Sequence, residues 1–147
     1  MIEEALKVER RSFTIVPFRE SFLMVLDEKN RYGLPGGHIE DESPEESAIR
    51  EVEEETGLIV VITGKVIAYK SSNVWHRRSQ NEPKRKEDYV FVGEYVGGER
   101  RLGKGIQRIE YFPWEDIEYF HRKGQLRPGH LKYIGAYLVQ KPKIKLL

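Results

Sequence analysis

Apolar and β-branched residues occur in short runs, and polar segments separate these runs. Two runs near the start of the chain predict strands with a short polar break between them, an arrangement compatible with a hairpin. Three later runs have the same composition and also predict strands. The predicted strands span residues 11–18, 21–27, 58–70, 88–96 and 107–114.

A helical period replaces the alternating one at residues 44–56. Ser43 is a good N-cap, Pro44 suits the first helical position, and Glu46 completes a capping box. Gly57 follows where a C-terminal glycine ends many helices. The predicted apolar stripe of this helix consists of Ala48, Ile49 and Val52.

Two further helices are predicted at residues 115–123 and 130–140, and the polar segment 71–87 between the strands predicts a long loop. Strands, a helix, more strands and a final helix predict a mixed β-sheet flanked by helices, an α/β (α+β) sandwich. The aromatic and aliphatic residues expected in its core are Tyr89, Phe91, Tyr95, Tyr133, Ile134 and Leu138.

Composition narrows the functional classes. A length of 147 residues favours one domain, residues 1–147. The chain has no cysteine, which excludes disulfides and thiolate metal sites and favours a reducing, cytoplasmic location. The longest apolar run is far shorter than the roughly twenty residues that cross a membrane, so no membrane association is expected. A net charge of +1 gives no reason to expect a stable nucleic-acid complex.

Residues 36–58 contain nine carboxylates and one arginine, a density that mutual repulsion makes costly unless a cation binds among them. On the predicted helix, Glu51, Glu54 and Glu55 share one face because they are three and four residues apart. Mg²⁺ prefers oxygen ligands of this kind. The alternative is a solvated, glutamate-rich helix face without a metal.

The loop before this helix distinguishes it from an ordinary acidic surface helix. Its Pro-Gly-Gly turn brings the bare backbone of Gly36 and Gly37 near the helix, where a carbonyl oxygen can meet a metal ion. Arg50 can pair with Glu46 or Glu54 one helical turn away and thereby orient a carboxylate.

The segment resembles the signature of the Nudix hydrolases, G-x5-E-x7-R-E-U-x-E-E-x-G-U, where U is aliphatic. The matching residues are Gly36, Glu42, Arg50, Glu51, Val52, Glu54, Glu55, Gly57 and Leu58. The sequence departs from the family pattern at one point. Family members commonly start the signature at the second glycine of a doublet, whereas here it starts at Gly36, the first, so the loop is one residue shorter.

The resemblance implies a Nudix fold and Mg²⁺-dependent hydrolysis, with Mn²⁺ as a substitute, of a pyrophosphate bond in a nucleoside diphosphate-linked substrate. It implies that Glu51, Glu54 and Glu55 hold the metal and that Glu51 or Glu54 deprotonates the attacking water. By the same carry-over, Arg50 orients the carboxylates, and Gly36 or Gly37 offers a backbone oxygen. The rival hypothesis is a Nudix-fold nucleotide-binding or regulatory module without turnover. The resemblance is also compatible with a homodimer.

Candidate substrate residues lie outside the signature. Trp75 could stack on a nucleobase while Arg77 and Arg78 pair with phosphate, although a tryptophan that pins a loop and a solvated basic run explain the same residues. His38, at the mouth of the glycine turn, could touch substrate. Tyr32 could line the same pocket or belong to the core.

Glu110 is the nearest acid outside the signature that could assist the metal site. Its alternation with Ile109 and Tyr111 is equally that of a solvent-facing strand residue.

Overall fold

The computed structural model describes residues 7–70, 75–76 and 83–141. The strands are β1 (Lys7–Ile15), β2 (Pro17–Phe18), β3 (Ser21–Asp27), β4 (Tyr32–Gly33), β5 (Gly36–His38), β6 (Leu58–Lys70), β7 (Trp75–His76), β8 (Pro83–Gly98) and β9 (Ile106–Pro113). The helices are α1 (Pro44–Thr56), α2 (Trp114–Arg122) and α3 (His130–Gln140).

These strands form two sheets. The first has the order β5-β1-β8-β6, with β7 paired to β8. It is mixed, because β1 runs parallel to β8 but antiparallel to β5, and β8 runs antiparallel to β6. In the second sheet, β3 pairs in antiparallel fashion with β2, β4 and β9.

Helix α1 is capped as the sequence predicts. The Ser43 hydroxyl accepts the backbone N–H of Glu46 at 3.1 Å, and the Glu46 carboxylate accepts the N–H of Ser43 at 3.2 Å. Gly57 ends the helix in the left-handed conformation, with φ 76°. A buried hydrogen bond, in which the Ser12 hydroxyl donates to the Ser47 hydroxyl at 3.0 Å, joins α1 to β1. The capping and this contact fix the position of the acidic helix against the first sheet.

Two apolar clusters form the core. In one, Val52 of α1 packs with Leu23 of β3 and Ile109 of β9. In the other, Phe13 of β1 packs with buried residues of α2 and α3. Helices therefore cover a mixed sheet, and the predicted α+β sandwich is confirmed. Among the helices described, none is long and apolar enough to cross a membrane.

Several predicted boundaries are exact and others are wrong. The limits of α1, β6 and α3 agree with the sequence prediction. The predicted strand at 11–18 divides into β1, which begins at Lys7, and the short β2, and only β2 forms the hairpin with β3. The turn of this hairpin contains Arg19 with φ 57°.

The loop predicted for residues 71–87 is wrong where the structure describes it. Residues 75–76 form β7, and residues 83–87 are the beginning of β8. This polar stretch is a strand because β1 pairs with it along its length and provides its backbone hydrogen bonds. Arg10 and Glu87 add an ion pair between the two strands, at 3.0 Å.

The expected core is partly confirmed. Phe91, Tyr133 and Ile134 are buried. Tyr95 and Leu138 are not core residues, since 52% and 38% of their surfaces are exposed.

Candidate active site

The three carboxylates of the acidic helix face differ in their surroundings. The side chain of Glu51 is only 14% exposed, whereas that of Glu54 is 58% exposed. Glu55 is half-buried. One helix face thus places two desolvated carboxylates beside one that reaches solvent.

Glu55 lies against the glycine turn. One of its carboxylate oxygens accepts the backbone N–H of Gly36 at 2.7 Å. Burial raises the pKa of Glu55 to about 8, and the negative charge of Glu51 adds to this effect, while the Gly36 N–H opposes it. At neutral pH without a cation, this carboxyl group is therefore mostly protonated.

Glu51 lies beside Gly37. A Cβ atom at position 37 would be 2.9 Å from the nearer Glu51 oxygen, so a side chain there would require this carboxylate to shift. Burial raises the pKa of Glu51, the Arg50 charge opposes the rise, and the Glu54 charge adds to it. The desolvation of Glu51 and Glu55 costs free energy that a bound divalent cation would offset.

Arg50 connects the acids of the helix to the loop before it. Its Nε and Nη2 donate to the Glu42 carboxylate at 3.0 and 2.6 Å. Its Nη1 donates to Glu54 at 3.0 Å, and its Nη2 also donates to the His38 carbonyl at 3.3 Å. The bond to Glu42 is the main reason that the pKa of Arg50 is raised. Of the two predicted partners, Glu54 pairs with Arg50, whereas Glu46 caps the helix.

The strand ladder distinguishes the two glycines. β5 is an edge strand whose flanking hydrogen bonds join Thr14 to Pro35 and Ile39 to Arg10. The two-residue period of an antiparallel ladder then directs the polar groups of Gly37 toward β1 and those of Gly36 away from it. The N–H of Gly36 indeed meets Glu55. The Gly36 carbonyl, on the same edge of the strand, is consequently the one that faces the acidic helix.

The donor set fits a hard divalent cation in its chemistry, since it consists of carboxylate and carbonyl oxygens. Across the described ranges, however, no three acidic or histidine side chains already converge on one point. Glu54 is turned toward Arg50, and Glu55 uses one oxygen for the Gly36 N–H. Joint ligation by all three acids thus requires Glu54 to turn away from Arg50.

The structure places the other predicted residues less close to these acids. His38 is 67% exposed, and its Nε2 lies 2.7 Å from a carboxylate oxygen of Glu9. The ring of Tyr32 stacks on Phe120 with 4.5 Å between centroids and meets the edge of Phe112. This aromatic cluster packs on the core, so the structure favours the core alternative for Tyr32.

The basic loop falls mostly outside the described residues. Trp75 lies in β7, whose backbone pairs with β8, and Arg77 and Arg78 are not among the residues that the structure describes.

Glu110 is 43% exposed, lies opposite Met24 in the ladder of β3 and β9, and has Arg108 as an ion-pair partner at 4.0 Å. Its neighbour Ile109 packs in the same cluster as Val52 of α1. Alternation along the strand therefore directs Glu110 to the sheet face opposite α1. The solvent-facing alternative agrees with the exposure of Glu110.

Two kinds of residue were missed by the sequence analysis. Glu42 is a fixed position of the signature, yet its role as the main partner of Arg50 was not assigned. A group of basic residues that includes Arg127, whose charge affects the pKa of Glu55, gave no signal because its members are far apart in sequence and belong to no motif.

Comparison with known proteins identifies the family. The family model described as NUDIX domain matches residues 8–135, which is most of the chain. The chain belongs to the Nudix family. This assignment confirms the resemblance found in residues 36–58 and, at the level of the family, an enzyme of the pyrophosphohydrolase type.

Two curated relatives of this Nudix chain are pyrophosphohydrolases. An ADP-ribose pyrophosphatase from Methanocaldococcus jannaschii is 29% identical over 127 residues, which is 82% of this chain and 68% of that protein. A probable DHNTP pyrophosphohydrolase from Lactococcus lactis is 32% identical over 95 residues, which is 61% of this chain and 57% of that protein.

A solved structure confirms the Nudix fold. A NUDIX hydrolase from Nitrosomonas europaea is similar with a TM-score of 0.77 and 22% identity, covering 96% of this chain and 98% of that chain.

Proposed function

We propose that this chain is a Mg²⁺-dependent pyrophosphohydrolase that acts on a nucleotide-type diphosphate substrate, with Mn²⁺ as a substitute ion. The observation that supports the proposal most is the pair Glu51 and Glu55, two desolvated carboxylates with raised pKa values on the side of α1 that faces Gly36. Desolvated acids that repel one another lower the stability of a helix unless a ligand compensates their charge. They suit a site that a divalent cation completes.

In this proposal Glu51 and Glu55 are the side-chain ligands, and Glu54, which the family resemblance also assigns to the metal, stays in its ion pair with Arg50. Gly36, rather than Gly37, supplies the backbone oxygen, because its carbonyl faces the helix while that of Gly37 faces β1. Gly37 contributes space, since any side chain there would displace Glu51.

A bound divalent ion would neutralise the phosphates and lower the pKa of a water molecule. The proton of the attacking water needs an acceptor that solvent reaches, and Glu54 meets this need better than Glu51 because it is 58% rather than 14% exposed. In the described part of the chain, one oxygen of Glu54 binds Arg50 and the other makes no hydrogen bond. Glu54 is therefore the proposed base.

Arg50 is a positioning residue in this mechanism. Its fork holds Glu42 through two nitrogens, so the guanidinium is oriented before substrate arrives. The remaining nitrogen binds Glu54 and sets where that carboxylate lies relative to Glu51.

The similarity to an ADP-ribose pyrophosphatase makes ADP-ribose the first substrate to test. The test incubates the protein and Mg²⁺ with ADP-ribose, nucleoside triphosphates, dinucleoside polyphosphates and non-nucleotide diphosphates, and measures the phosphate species released. Release that depends on Mg²⁺ supports the proposal. Metal binding without turnover of any compound would contradict it and favour the non-catalytic Nudix-fold module.

Other expectations from the sequence stay predictions. They are a single domain over residues 1–147, a cytoplasmic location, a homodimer, and contacts of His38, Trp75, Arg77 and Arg78 with substrate.

A further inference from the structure

A cavity of about 200 Å³ is lined mainly by cations. Its lining residues are Arg11, Arg31, Lys86, Arg127, Pro128 and His130. We call it the basic pocket. Four cationic side chains around one small cavity repel each other, so their charges need partners.

Some of these charges are balanced within the protein. Arg11 forms two hydrogen bonds with the buried Asp88, at 3.0 and 2.9 Å, and Asp88 also accepts the Tyr133 hydroxyl. Arg31 pairs with Asp27 only at 3.7 Å, and its buried Nε makes no hydrogen bond among the described residues. The compensation is therefore strong at Arg11 and weak at Arg31.

Arg127 is less well compensated than Arg11 and Arg31. It is half-buried, and no carboxylate of the described residues lies within ion-pair distance of it. Its guanidinium instead lies over the Phe13 ring, 5.8 Å from the centroid. Burial lowers the pKa of Arg127, and the charge of Arg11 lowers it further. A partly buried cation without an ion-pair partner costs free energy that an anionic ligand would offset.

The basic pocket adjoins the proposed metal site. The guanidinium of Arg11 also lies over the Phe13 ring, at 5.3 Å, so both arginines contact Phe13. Phe13 is the ladder partner of Gly36, whose N–H binds Glu55. Glu55 and Arg127 are close enough to affect each other's pKa. Acidic and basic regions thus meet at one strand pair.

The size of the basic pocket restricts its ligand. Sites that enclose a drug-sized molecule measure roughly 300–1,000 Å³, so about 200 Å³ suits a phosphate-sized group rather than a whole nucleotide. Guanidinium groups bind phosphate oxygens through paired N–H donors, and three of the four cations are arginines.

We propose that the basic pocket holds a phosphate group of the substrate, next to the phosphates that the acidic helix handles. The statement that the phosphate belongs to a substrate rests on the proposed function. The statement that the pocket binds a phosphate-sized anion does not. It makes Arg127 and Arg31 phosphate-binding residues, and it requires a substrate with a phosphate that reaches past Gly36 into the pocket.

Binding of inorganic phosphate tests the pocket without catalysis. Phosphate is titrated calorimetrically into EDTA-treated protein, so that no metal contributes. The wild type should bind phosphate, and Arg127→Gln should weaken this binding about tenfold or more. Arg10→Gln is the matched control, because Arg10 precedes Arg11 in β1, is 59% exposed and pairs with Glu87 outside the pocket.

Equal binding by wild type and Arg127→Gln, or no binding by the wild type, would overturn the inference. If Arg127→Gln unfolds, as its melting curve would show, Arg127→Lys and Arg31→Gln replace it. The lysine variant should retain part of the affinity because it keeps the charge, and Arg31→Gln should lose affinity.

Kinetics then distinguish a phosphate of the substrate from free phosphate. With a substrate found by the screen, Arg127→Gln should raise KM about tenfold and change kcat little. An unchanged KM in a variant that no longer binds phosphate would overturn the assignment to substrate. If the wild type turns over nothing yet binds phosphate through Arg127, the proposed function fails and the ligand class of the pocket stands.

Discussion

The acidic face of α1 and the basic pocket lie on either side of one strand pair, but the chain builds them in different ways. The acidic face takes Glu51, Glu54 and Glu55 from a single helix. The basic pocket takes Arg11 and Arg127 from opposite ends of the chain. The acidic face is therefore built from residues close in sequence, whereas the basic pocket is built by tertiary contacts between distant residues.

This difference decides what each region can do alone. Helix geometry places the acids on one face, and a bound cation would relieve their unfavourable burial. The basic pocket exists only after β1 pairs with β8, because that pairing places Arg11 against Asp88. Chemistry is thus assigned to the acidic face and anion binding to the basic pocket, and each assignment can be broken separately.

The largest expected effect is on turnover. Glu54→Gln removes the proposed base and should lower kcat by about 10²–10⁴-fold while the fold remains intact. Arg127→Gln should instead act on KM. Glu53→Gln is the control, because Glu53 is an exposed neighbour on the same helix. A Glu54→Gln variant with full kcat would contradict the assignment of the base to the acidic face.

The second prediction concerns stability as pH rises. The pKa of Glu55 is about 8 in the folded state, above its ordinary value of 4.5, so the folded state binds more protons between these values. The resulting stability is complete below about pH 4.5 and is lost as pH rises through about 8. Metal-free wild type should therefore lose a few kcal/mol, relative to Glu55→Gln, between pH 5 and 8. Denaturant unfolding with EDTA measures the difference, and parallel pH curves would contradict it.

These acids also show how much the sequence could predict. Capping residues and spacing fixed α1 to the residue, and the signature located the carboxylates, because both depend on neighbours within one helix. The polar start of β8 was missed because pairing with β1, not apolar composition, makes it a strand. The basic pocket was not predicted for the same reason, because only tertiary contacts bring together Arg11, Arg31 and Arg127.

A smaller effect is expected from Arg50→Lys. Lysine keeps the charge but cannot bind Glu42 and Glu54 simultaneously through a planar fork. We expect kcat to fall about tenfold with little change in KM. Arg10→Lys is the control for the same replacement at an exposed ion pair. Unaltered kcat would show that the position of Glu54 does not depend on Arg50.

An effect of similar free energy, about 1–2 kcal/mol, is expected on stability as pH falls, and its sign is opposite to that at Glu55. His130, at the basic pocket, is buried, and its Nδ1 accepts the Leu34 N–H at 2.8 Å. Burial and the nearby Arg127 charge hold the pKa of His130 well below 6.5, so only the unfolded chain gains this proton as pH falls. Stability present above about pH 6.5 should decline by about 1–2 kcal/mol toward pH 5.

Unfolding of wild type and His130→Gln at pH 7 and 5 isolates this contribution, because glutamine retains an acceptor but does not titrate in this range. Identical losses in the two proteins would show that His130 does not contribute the predicted dependence.

The most direct test of the central claim is a calorimetric titration of Mg²⁺ into wild type, Glu51→Gln and Glu55→Gln, with Glu53→Gln as the control. If the acidic face holds the ion, wild type and control bind Mg²⁺, and each of the other two variants binds about tenfold or more weakly. Equal affinity in all four proteins, or no binding by the wild type, would contradict the account.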